Sequence, residues 1–208
     1  MDAIHSKSVF VYRQVRRALR SGSYAPGQRI DPARLAAEFK TSPTPVRFAL
    51  YRLVGEALVV DHARSGLHVP LFTEVALRDL YDWMECLLLM ACDIGAAPAT
   101  RKPEPLEISA DGDQVNLTWQ LFDAIARATS HTCLHQAVKQ ANDRLAPIRR
   151  ATQGLFDRGL EELSQLHRLW QASDMPALKS AVREYHELRK QRVPYIVALL
   201  SDRGDYLN

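Results

Sequence analysis

Residues 41–54 read TSPTPVRFALYRLV, the pattern of a short amphipathic helix. Ser42 can cap it, and Pro43 and Pro45 fall in its first turn, where their missing amide protons cost little hydrogen bonding. Apolar residues at helical spacing predict a stripe that packs against a core: Val46, Ala49, Leu50 and Leu53. The opposite face carries Thr44, Arg47, Phe48 and Tyr51. That face suits insertion into a DNA major groove, although an ordinary amphipathic core helix is the alternative interpretation.

The residues before this stretch predict two more helices. After a loose arm over residues 1–7, Ser8 can cap a helix that ends at Gly22 and buries Val11, Val15, Ala18 and Leu19. Pro26-Gly27 suits a type II turn. Asp31 can then cap a helix over residues 32–39, and Lys40-Thr41 is a tight connection to the next helix. Helix, short turn and helix form the helix-turn-helix arrangement.

Two short β-prone runs follow, at residues 58–60 and 67–69. A polar connection that ends in Gly66 separates them, so the pattern predicts a two-stranded wing. Arg64 near its tip can reach a phosphate or the minor groove. An ordinary solvated loop arginine explains Arg64 equally well.

The charge of the chain is unevenly distributed. Residues 1–70 carry 11 Lys and Arg against 5 Asp and Glu, whereas residues 71–208 carry 16 against 19. A basic head on a nearly neutral body is the electrostatic footprint of a nucleic-acid-binding domain. The three cysteines lack CxxC spacing, so we expect neither a disulfide framework nor a bound cofactor. No apolar run is long enough to span a bilayer, and we therefore expect a cytoplasmic protein without membrane association.

The C-terminal part has helical periodicity almost throughout. From Glu74 onward one long helix is predicted, with apolar residues at helical spacing from Leu77 to Ala91, and residues 98–113 shift to a loop composition. Further helices are predicted at residues 115–129, 132–148, 153–172 and 175–201. The predicted fold class is mainly α: a winged helix-turn-helix over residues 1–70, a linker over residues 71–73, and an all-helical antiparallel bundle over residues 74–208.

Residues 19–69 resemble the winged helix-turn-helix of the GntR family of bacterial transcription regulators. The resemblance rests on residues in fixed order, including Pro26-Gly27, Leu35-Ala36, Thr44-Pro45-Val46-Arg47 and Gly66. It implies that Arg47 contacts operator DNA and that the Gly66 wing enters the minor groove. The chain departs from the family pattern at Lys40, where glycine is usual, and at Pro43 and Phe48. The candidate DNA-binding residues are Arg34, Ser42, Thr44, Arg47, Tyr51, Arg64 and Gly66.

The helical body is similar to the FCD effector domain of the FadR-like branch of that family. Many FCD domains bind a divalent metal through aspartate and histidine side chains. The usual ligands are an aspartate and a histidine four residues apart on one helix and one histidine from each of two later helices. These four positions correspond here to Trp119, Asp123, Leu163 and Tyr185, of which only Asp123 is a strong ligand. We therefore predict that the usual metal site is lost, with a rearranged site of Asp123, His167 and His186 as the alternative.

The same correspondence predicts a small-molecule cavity. Its candidate effector-binding residues are Trp119, Asp123, Arg127, His167, Tyr185 and Arg189, an aromatic set with a few polar groups. The alternatives are that Trp119 is plain core, that Arg127 and Arg189 are surface charges, and that Asp123 and His167 form a buried pair. His186 should be exposed.

The leading functional hypothesis is a transcription regulator that acts as a repressor. It would bind a pseudo-palindromic operator in double-stranded DNA as a homodimer. Its helical domain would respond to a small-molecule effector, with organic acids as a candidate class. The alternative is a ligand-independent DNA-binding regulator with a degenerate effector domain. An enzyme is disfavoured because no phosphate loop, nucleophile elbow or HExxH motif is present.

Overall fold

The computed structural model describes residues 2–95 and 112–205, and this part of the chain is mainly helical. The elements are α1 Asp2–Ser21, α2 Pro32–Glu38, α3 Pro43–Gly55, β1 Val60–His62, β2 Gly66–His68, α4 Glu74–Ile94, α5 Gln114–Ala128, α6 Thr132–Ala151, α7 Gly159–Gln171, α8 Met175–Gln191 and α9 Val193–Asp205. They form two compact units, residues 72–197 and the remainder, which comprises the chain up to Leu71 and the end from Ala198. None of the described helices combines the length and apolar composition that a membrane span requires.

The first unit is built around α3. The predicted apolar stripe of α3 is buried, together with Pro45. Asp31 caps α2 as predicted, since its carboxylate accepts the Ala33 amide at 2.8 Å. Ser42 is the N-cap residue of α3 in extended conformation, but its side chain makes no capping hydrogen bond. Because Pro43 and Pro45 have no amide protons to donate, few amide groups in the first turn of α3 need a capping partner.

Helix α1 packs on α3 and begins earlier than predicted. It starts at Asp2, and Ser8 lies inside it with its hydroxyl donating to the His5 carbonyl at 2.8 Å. A serine hydroxyl can donate to a carbonyl of the preceding helical turn as well as cap a helix, so Ser8 did not mark the start of α1. Tyr12 ties α1 to the end of α3 by donating to Glu56 at 2.7 Å.

The wing is a β-hairpin whose strands pair with Val60 opposite His68 and His62 opposite Gly66. The first strand therefore lies two residues later than predicted, because Leu58 and Val59 are buried in the core. Residues 27–30 run along the outer side of β2 and anchor it. Ile30 donates to the Leu67 carbonyl at 2.8 Å, and Val69 donates to the Gln28 carbonyl at 2.9 Å. The Pro26-Gly27 turn leads into this segment with Gly27 at a φ of 83°.

The second unit is a helical bundle in which α4 packs against α6 and α8, α5 against α6, and α7 against α8. The apolar stripe of α4 is buried as predicted, including Leu77, Leu80, Met84 and Leu88. Lys190 of α8 pairs with Asp82 and Glu85 of α4 at 2.8 and 3.0 Å. These carboxylates raise the pKa of Lys190, and the hydrogen bond that Lys190 donates to Asp82 is the main cause.

Two predicted helix limits in the bundle are wrong. Residues 152–158 form turns, with Gly154 at a φ of 90°, so α7 starts at Gly159 and not at residue 153. The predicted last helix breaks at Arg192, because Pro194 lacks an amide proton and is accommodated only in the first turn of a new helix. The predicted loop over residues 98–113 lies outside the described residues apart from its last two.

Candidate DNA interface and ligand cavity

The outer face of α3 is exposed in the way that the periodicity predicted. Thr44, Arg47, Phe48 and Tyr51 all point to solvent, and Phe48 and Tyr51 keep 62% and 55% of their surface accessible. Large aromatic groups are unusual on a solvated helix unless a partner covers them. Arg47 can donate to base edges or phosphates from the middle of this face.

The turn between α2 and α3 is a Schellman motif built on a lysine. The Thr41 amide donates to the Ala36 carbonyl at 2.9 Å, and the Lys40 amide donates to the Ala37 carbonyl at 3.2 Å. Lys40 occupies the left-handed position with a φ of 47°. The family-like geometry is therefore kept without glycine. Arg34 of α2 and Ser42 at the start of α3 are both exposed on either side of this turn.

The wing presents Arg64 at its exposed tip, and Gly66 follows with a φ of 84°. Two histidines of the wing were missed in the sequence. The ring centroids of His62 and His68 lie 5.5 Å apart, and the backbone of Arg29 pairs with the backbone of His68 from the neighbouring segment. Alternation along a strand places residues 60, 62, 66 and 68 on one face once the register is known. The misplaced first strand concealed this cluster.

Arg52 is also on α3, but its contacts are structural. Its guanidinium lies 4.0 Å from the centroid of the Tyr12 ring, and its Nε pairs with Glu56 at 3.2 Å. Burial and the hydrogen bond to Glu56 raise the pKa of Tyr12, so the phenol remains a donor. Arg52 therefore holds α3 to α1, whereas Arg47 is exposed on the outer face of α3.

In the helical unit, two of the predicted effector residues meet. The guanidinium of Arg189 lies 3.4 Å from the Tyr185 ring centroid and pairs with Glu162 at 2.6 Å. Arg189 is only 5% exposed, so it is no surface charge. Its buried position is stabilised by Glu162, by the Tyr185 carbonyl at 2.9 Å and by the Phe156 ring.

The other predicted effector residues have separate surroundings. The indole of Trp119 donates to Asp143 at 2.8 Å, and Asp123 bonds His135, not His167, at 2.8 Å. Arg127 is exposed. His167 is half-buried beside Gln171, and burial lowers its pKa. Neither of the two cavities described below is lined by any of these four.

The prediction that His186 is exposed is wrong. Its side chain is completely buried, and its ring lies 5.1 and 6.0 Å from the ring centroids of Tyr185 and Phe122. Nδ1 bonds the Val182 carbonyl at 2.8 Å. Burial lowers the pKa of His186 to about 3, aided by the nearby Arg149 and Arg189. The ring is therefore neutral at physiological pH.

The donor set for a metal does not fit. Of the four positions that the resemblance to FCD domains suggested as ligands, three carry Trp119, Leu163 and Tyr185, and the fourth, Asp123, is bonded to His135. Across residues 2–95 and 112–205, no group of three or more histidine, cysteine or acidic side chains is placed to hold a metal ion. Asp123, His167 and His186 thus do not form the alternative site.

An inner cavity of about 40 Å³ lies between α4, α5, α6 and α8. Its lining includes Tyr81, Thr118, Arg149, Phe156, Tyr185 and Arg189, with Gln114, Gln153 and Gly154 also contributing. Burial raises the pKa of Tyr81 to about 12, so its phenol stays protonated. Arg149 was missed in the sequence because a basic residue in the last turn of a helix is usually a favourable partner of the helix dipole.

An outer groove of about 460 Å³ lies between α7, α8 and the turns at residues 155–158. Phe156 and Tyr185 line both the groove and the inner cavity. The groove mixes apolar groups such as Leu166 and Leu188 with acidic ones such as Glu162 and Glu184. Its volume is typical of a small-molecule site.

Comparison with known proteins supports the interpretation of the N-terminal unit. Residues 7–69 match the model of the family described as bacterial regulatory proteins, gntR family. The Nta operon transcriptional regulator of Aminobacter aminovorans is 28% identical over 134 residues, which are 59% of this chain and 63% of that protein. The HTH-type transcriptional regulator YdhC of Bacillus subtilis is 29% identical over 70 residues, 34% of this chain and 31% of its own length. The chain thus spans less than two thirds of either relative.

Solved structures share the fold of the whole described chain. A transcriptional regulator GntR from Rhodococcus sp. RHA1 superposes with a TM-score of 0.73 at 16% identity, covering 90% of this chain and 97% of that one. McbR/YncC of E. coli gives a TM-score of 0.66 at 19% identity, with coverage of 95% and 98%. At these identities the likeness concerns the fold alone. The family match over residues 7–69 and the winged helix-turn-helix seen in this part of the chain lead to one conclusion: the N-terminal region of this chain is similar to the gntR family of bacterial regulatory proteins.

Proposed function

We propose that this protein is a transcription regulator that binds a pseudo-palindromic DNA operator as a homodimer and responds to a small-molecule effector. The observation that carries the proposal is the exposed face of α3, with Arg47 and Tyr51 beside each other on a helix that follows a tight turn. A recognition helix of this kind enters the major groove and reads base edges near its N-terminus.

Each candidate residue has its own role in the proposed DNA complex. Thr44, Arg47 and Tyr51 are the candidates for base reading, and Arg47 can donate two hydrogen bonds to a guanine. Arg34 and Ser42 stand at the edges of the groove, where hydroxyl and guanidinium groups bind phosphates. Arg64 at the wing tip reaches the minor groove in the proposed complex.

An apolar stripe on α4 supports the homodimer. Val75, Trp83, Met90 and Ile94 lie on the outer side of α4, opposite its buried stripe, and each keeps roughly half or more of its surface accessible. Successive residues of this stripe are eight, seven and four positions apart, and these spacings keep them on one face of the helix. Large exposed apolar side chains along one helix face are typical of an interaction site, and a second copy of the chain would bury the same face on both partners.

The cavities of the helical unit support the effector response. A ligand there can alter DNA binding only if it prefers one arrangement of the two heads over another. A dimer that covers an operator excludes other proteins from that DNA, so repression is the proposed outcome. A second candidate, a ligand-independent regulator, is favoured by the loss of three of the four FCD metal ligands at Trp119, Leu163 and Tyr185.

The test is selection of binding sites from random double-stranded DNA with the full chain, followed by affinity measurement on the enriched sequence. We expect a pseudo-palindrome with half-sites about one helical turn apart. The logarithm of the binding constant should fall linearly with the logarithm of salt, by about 0.9 for each phosphate contacted. Failure to enrich any sequence, with equal affinity for all duplexes, would contradict the proposal.

A further inference from the structure

Phe48 of α3 is a large apolar side chain that the core of the first unit does not use. Its surface is 62% accessible, and the half-buried side chains that pack on that core are Tyr24, Phe39 and Val54 instead. Tyr51, three residues further along α3, is exposed as well, so the two rings form one apolar patch on the helix surface. Such a patch is typical of a surface that a partner covers.

The charge around Phe48 indicates that this partner is DNA. Arg47, the preceding residue, is exposed, and α3 contains no acidic residue at all. Residues 1–70 carry 11 Lys and Arg against 5 Asp and Glu, so the whole unit attracts a polyanion. A nucleic acid therefore complements the surroundings of the ring.

Phe48 and Arg47 stand on opposite sides of the exposed face of α3. Successive residues of an α-helix are about 100° apart around its axis. Thr44 and Tyr51 mark the middle of the face, opposite the buried stripe, and Arg47 and Phe48 flank this middle line. Both flanking residues lie in the N-terminal half of α3, the part of a recognition helix that contacts base edges. A helix in the major groove would thus bring both side chains over one half-site.

A phenyl ring has one suitable target on the base edges of the major groove. It cannot read the pattern of hydrogen-bond donors and acceptors, because it offers neither. The C5-methyl group of thymine is the apolar group that the bases present in this groove, and phenylalanine can contact it. Such a contact removes apolar surface of both partners from water.

We propose that Phe48 recognises a thymine in each operator half-site through its C5-methyl group, in the same half-site as the guanine that Arg47 contacts. This contact rests on the proposed DNA-binding function and assigns one further base of the operator. Burial of one methyl group corresponds to about a fourfold change in affinity. Loss of the methyl group from both half-sites should therefore weaken binding by about 15-fold.

Replacement of thymine by deoxyuridine tests the contact without changing the protein. Deoxyuridine lacks only the methyl group and keeps every hydrogen-bonding group of the base. The full chain first enriches its operator from random double-stranded DNA, and each thymine is then replaced in both half-sites at once. We expect fluorescence anisotropy to show the 15-fold loss at one thymine position. Specific binding that no replacement weakens would overturn the contact.

Two alanine variants assign the contact to a side chain. Phe48→Ala should bind the thymine and deoxyuridine duplexes equally, because the ring that contacts the methyl group is gone. Phe10→Ala is the control: Phe10 is also an exposed phenylalanine of the first unit, but it lies on α1 with its ring 5.9 Å from that of Phe39. It should keep the full loss. Circular dichroism checks that both variants are folded.

A folded Phe48→Ala that still loses affinity on replacement would overturn the assignment, since the methyl group would then act through DNA shape or another side chain. Equal weakening of Phe48→Ala on operator and random duplex, with the thymine preference kept, would also overturn it.

Parallel selections with wild type and Phe48→Ala separate this contact from the proposed function. We expect the variant to enrich the same half-site with one thymine position degenerate and the guanine retained. If the variant enriches that thymine as strongly as wild type does, the regulator still binds its operator but Phe48 does not read it. If wild type enriches no sequence, the proposed function fails and the contact fails with it.

Discussion

Arg47 is the side chain on which sequence-specific binding should depend most. It is exposed in the middle of the α3 face and has no carboxylate partner among the described residues, so its donors are available to DNA. We expect Arg47→Ala to lose about 1–3 kcal/mol of binding free energy per half-site, which removes discrimination between operator and random duplex. Fluorescence anisotropy with both duplexes measures this difference.

The control for Arg47→Ala is Arg168→Ala, which removes an exposed arginine of α7 and so changes the net charge equally. It should retain operator affinity. If Arg47→Ala kept full affinity and discrimination, α3 would not be the recognition helix.

His186 should make folding stability depend on pH. Its pKa is about 3 in the folded protein against 6.5 in the unfolded chain, because the buried ring resists protonation. The unfolded state therefore binds the extra proton between these values, and stability falls as pH falls below 6.5. From pH 7.5 to pH 5, this one group should cost about 2 kcal/mol.

Urea unfolding of wild type and His186→Gln at both pH values tests this expectation. Glutamine does not titrate, so the variant should lose about 2 kcal/mol less than wild type on acidification, whatever its stability at pH 7.5. Equal losses in the two proteins would mean that His186 is not buried as a neutral ring.

At the scale of elements, the turn between α2 and α3 contains local strain. Lys40 has a φ of 47°, a conformation that costs a residue with a Cβ roughly 1 kcal/mol. Lys40→Gly should therefore raise the free energy of unfolding by up to about 1 kcal/mol, while Lys40→Ala, which keeps a Cβ but removes the charge, should not. Chemical denaturation of wild type and the two variants measures these free energies of unfolding. A higher value for Lys40→Ala than for wild type would show that the removed charge, and not the backbone conformation, causes the gain.

Helices with a clear apolar period were predictable, and their limits were less so. The buried stripes of α3 and α4 follow from spacing alone because each helix must bury one face. The start of α1, the turns at residues 152–158 and the break at Arg192 were missed. At the start of α1 the sequence permits a helix or its end equally, and packing decides, whereas Gly154 and Pro194 are local signals for the turns and for the break.

At the scale of the whole molecule, the exposed stripe of α4 should determine the oligomeric state. Trp83→Asp places a charge in the proposed dimer contact, where burial without a partner is costly. We expect light scattering to give twice 23.5 kDa for wild type and 23.5 kDa for the variant. Operator affinity should drop as well, because two linked heads no longer bind together.

Tyr195→Asp is the matched control, since Tyr195 is also an exposed aromatic residue but lies on α9. It should remain a dimer. A wild-type protein that is monomeric at micromolar concentration, or a dimeric Trp83→Asp, would contradict this interface.

The amino-acid sequence by itself determined the helix-turn-helix, the exposed face of α3 and the buried stripes of α3 and α4. These depend on residue identity and on spacing within single helices, which are local properties. Only the tertiary structure decided that Arg189 and Tyr185 meet, that His186 is buried, and that Nε and Nη2 of Arg149 are buried without a hydrogen-bond partner among the described residues. Those facts depend on helices far apart in the chain, and no local pattern encodes which side chains such helices bring together.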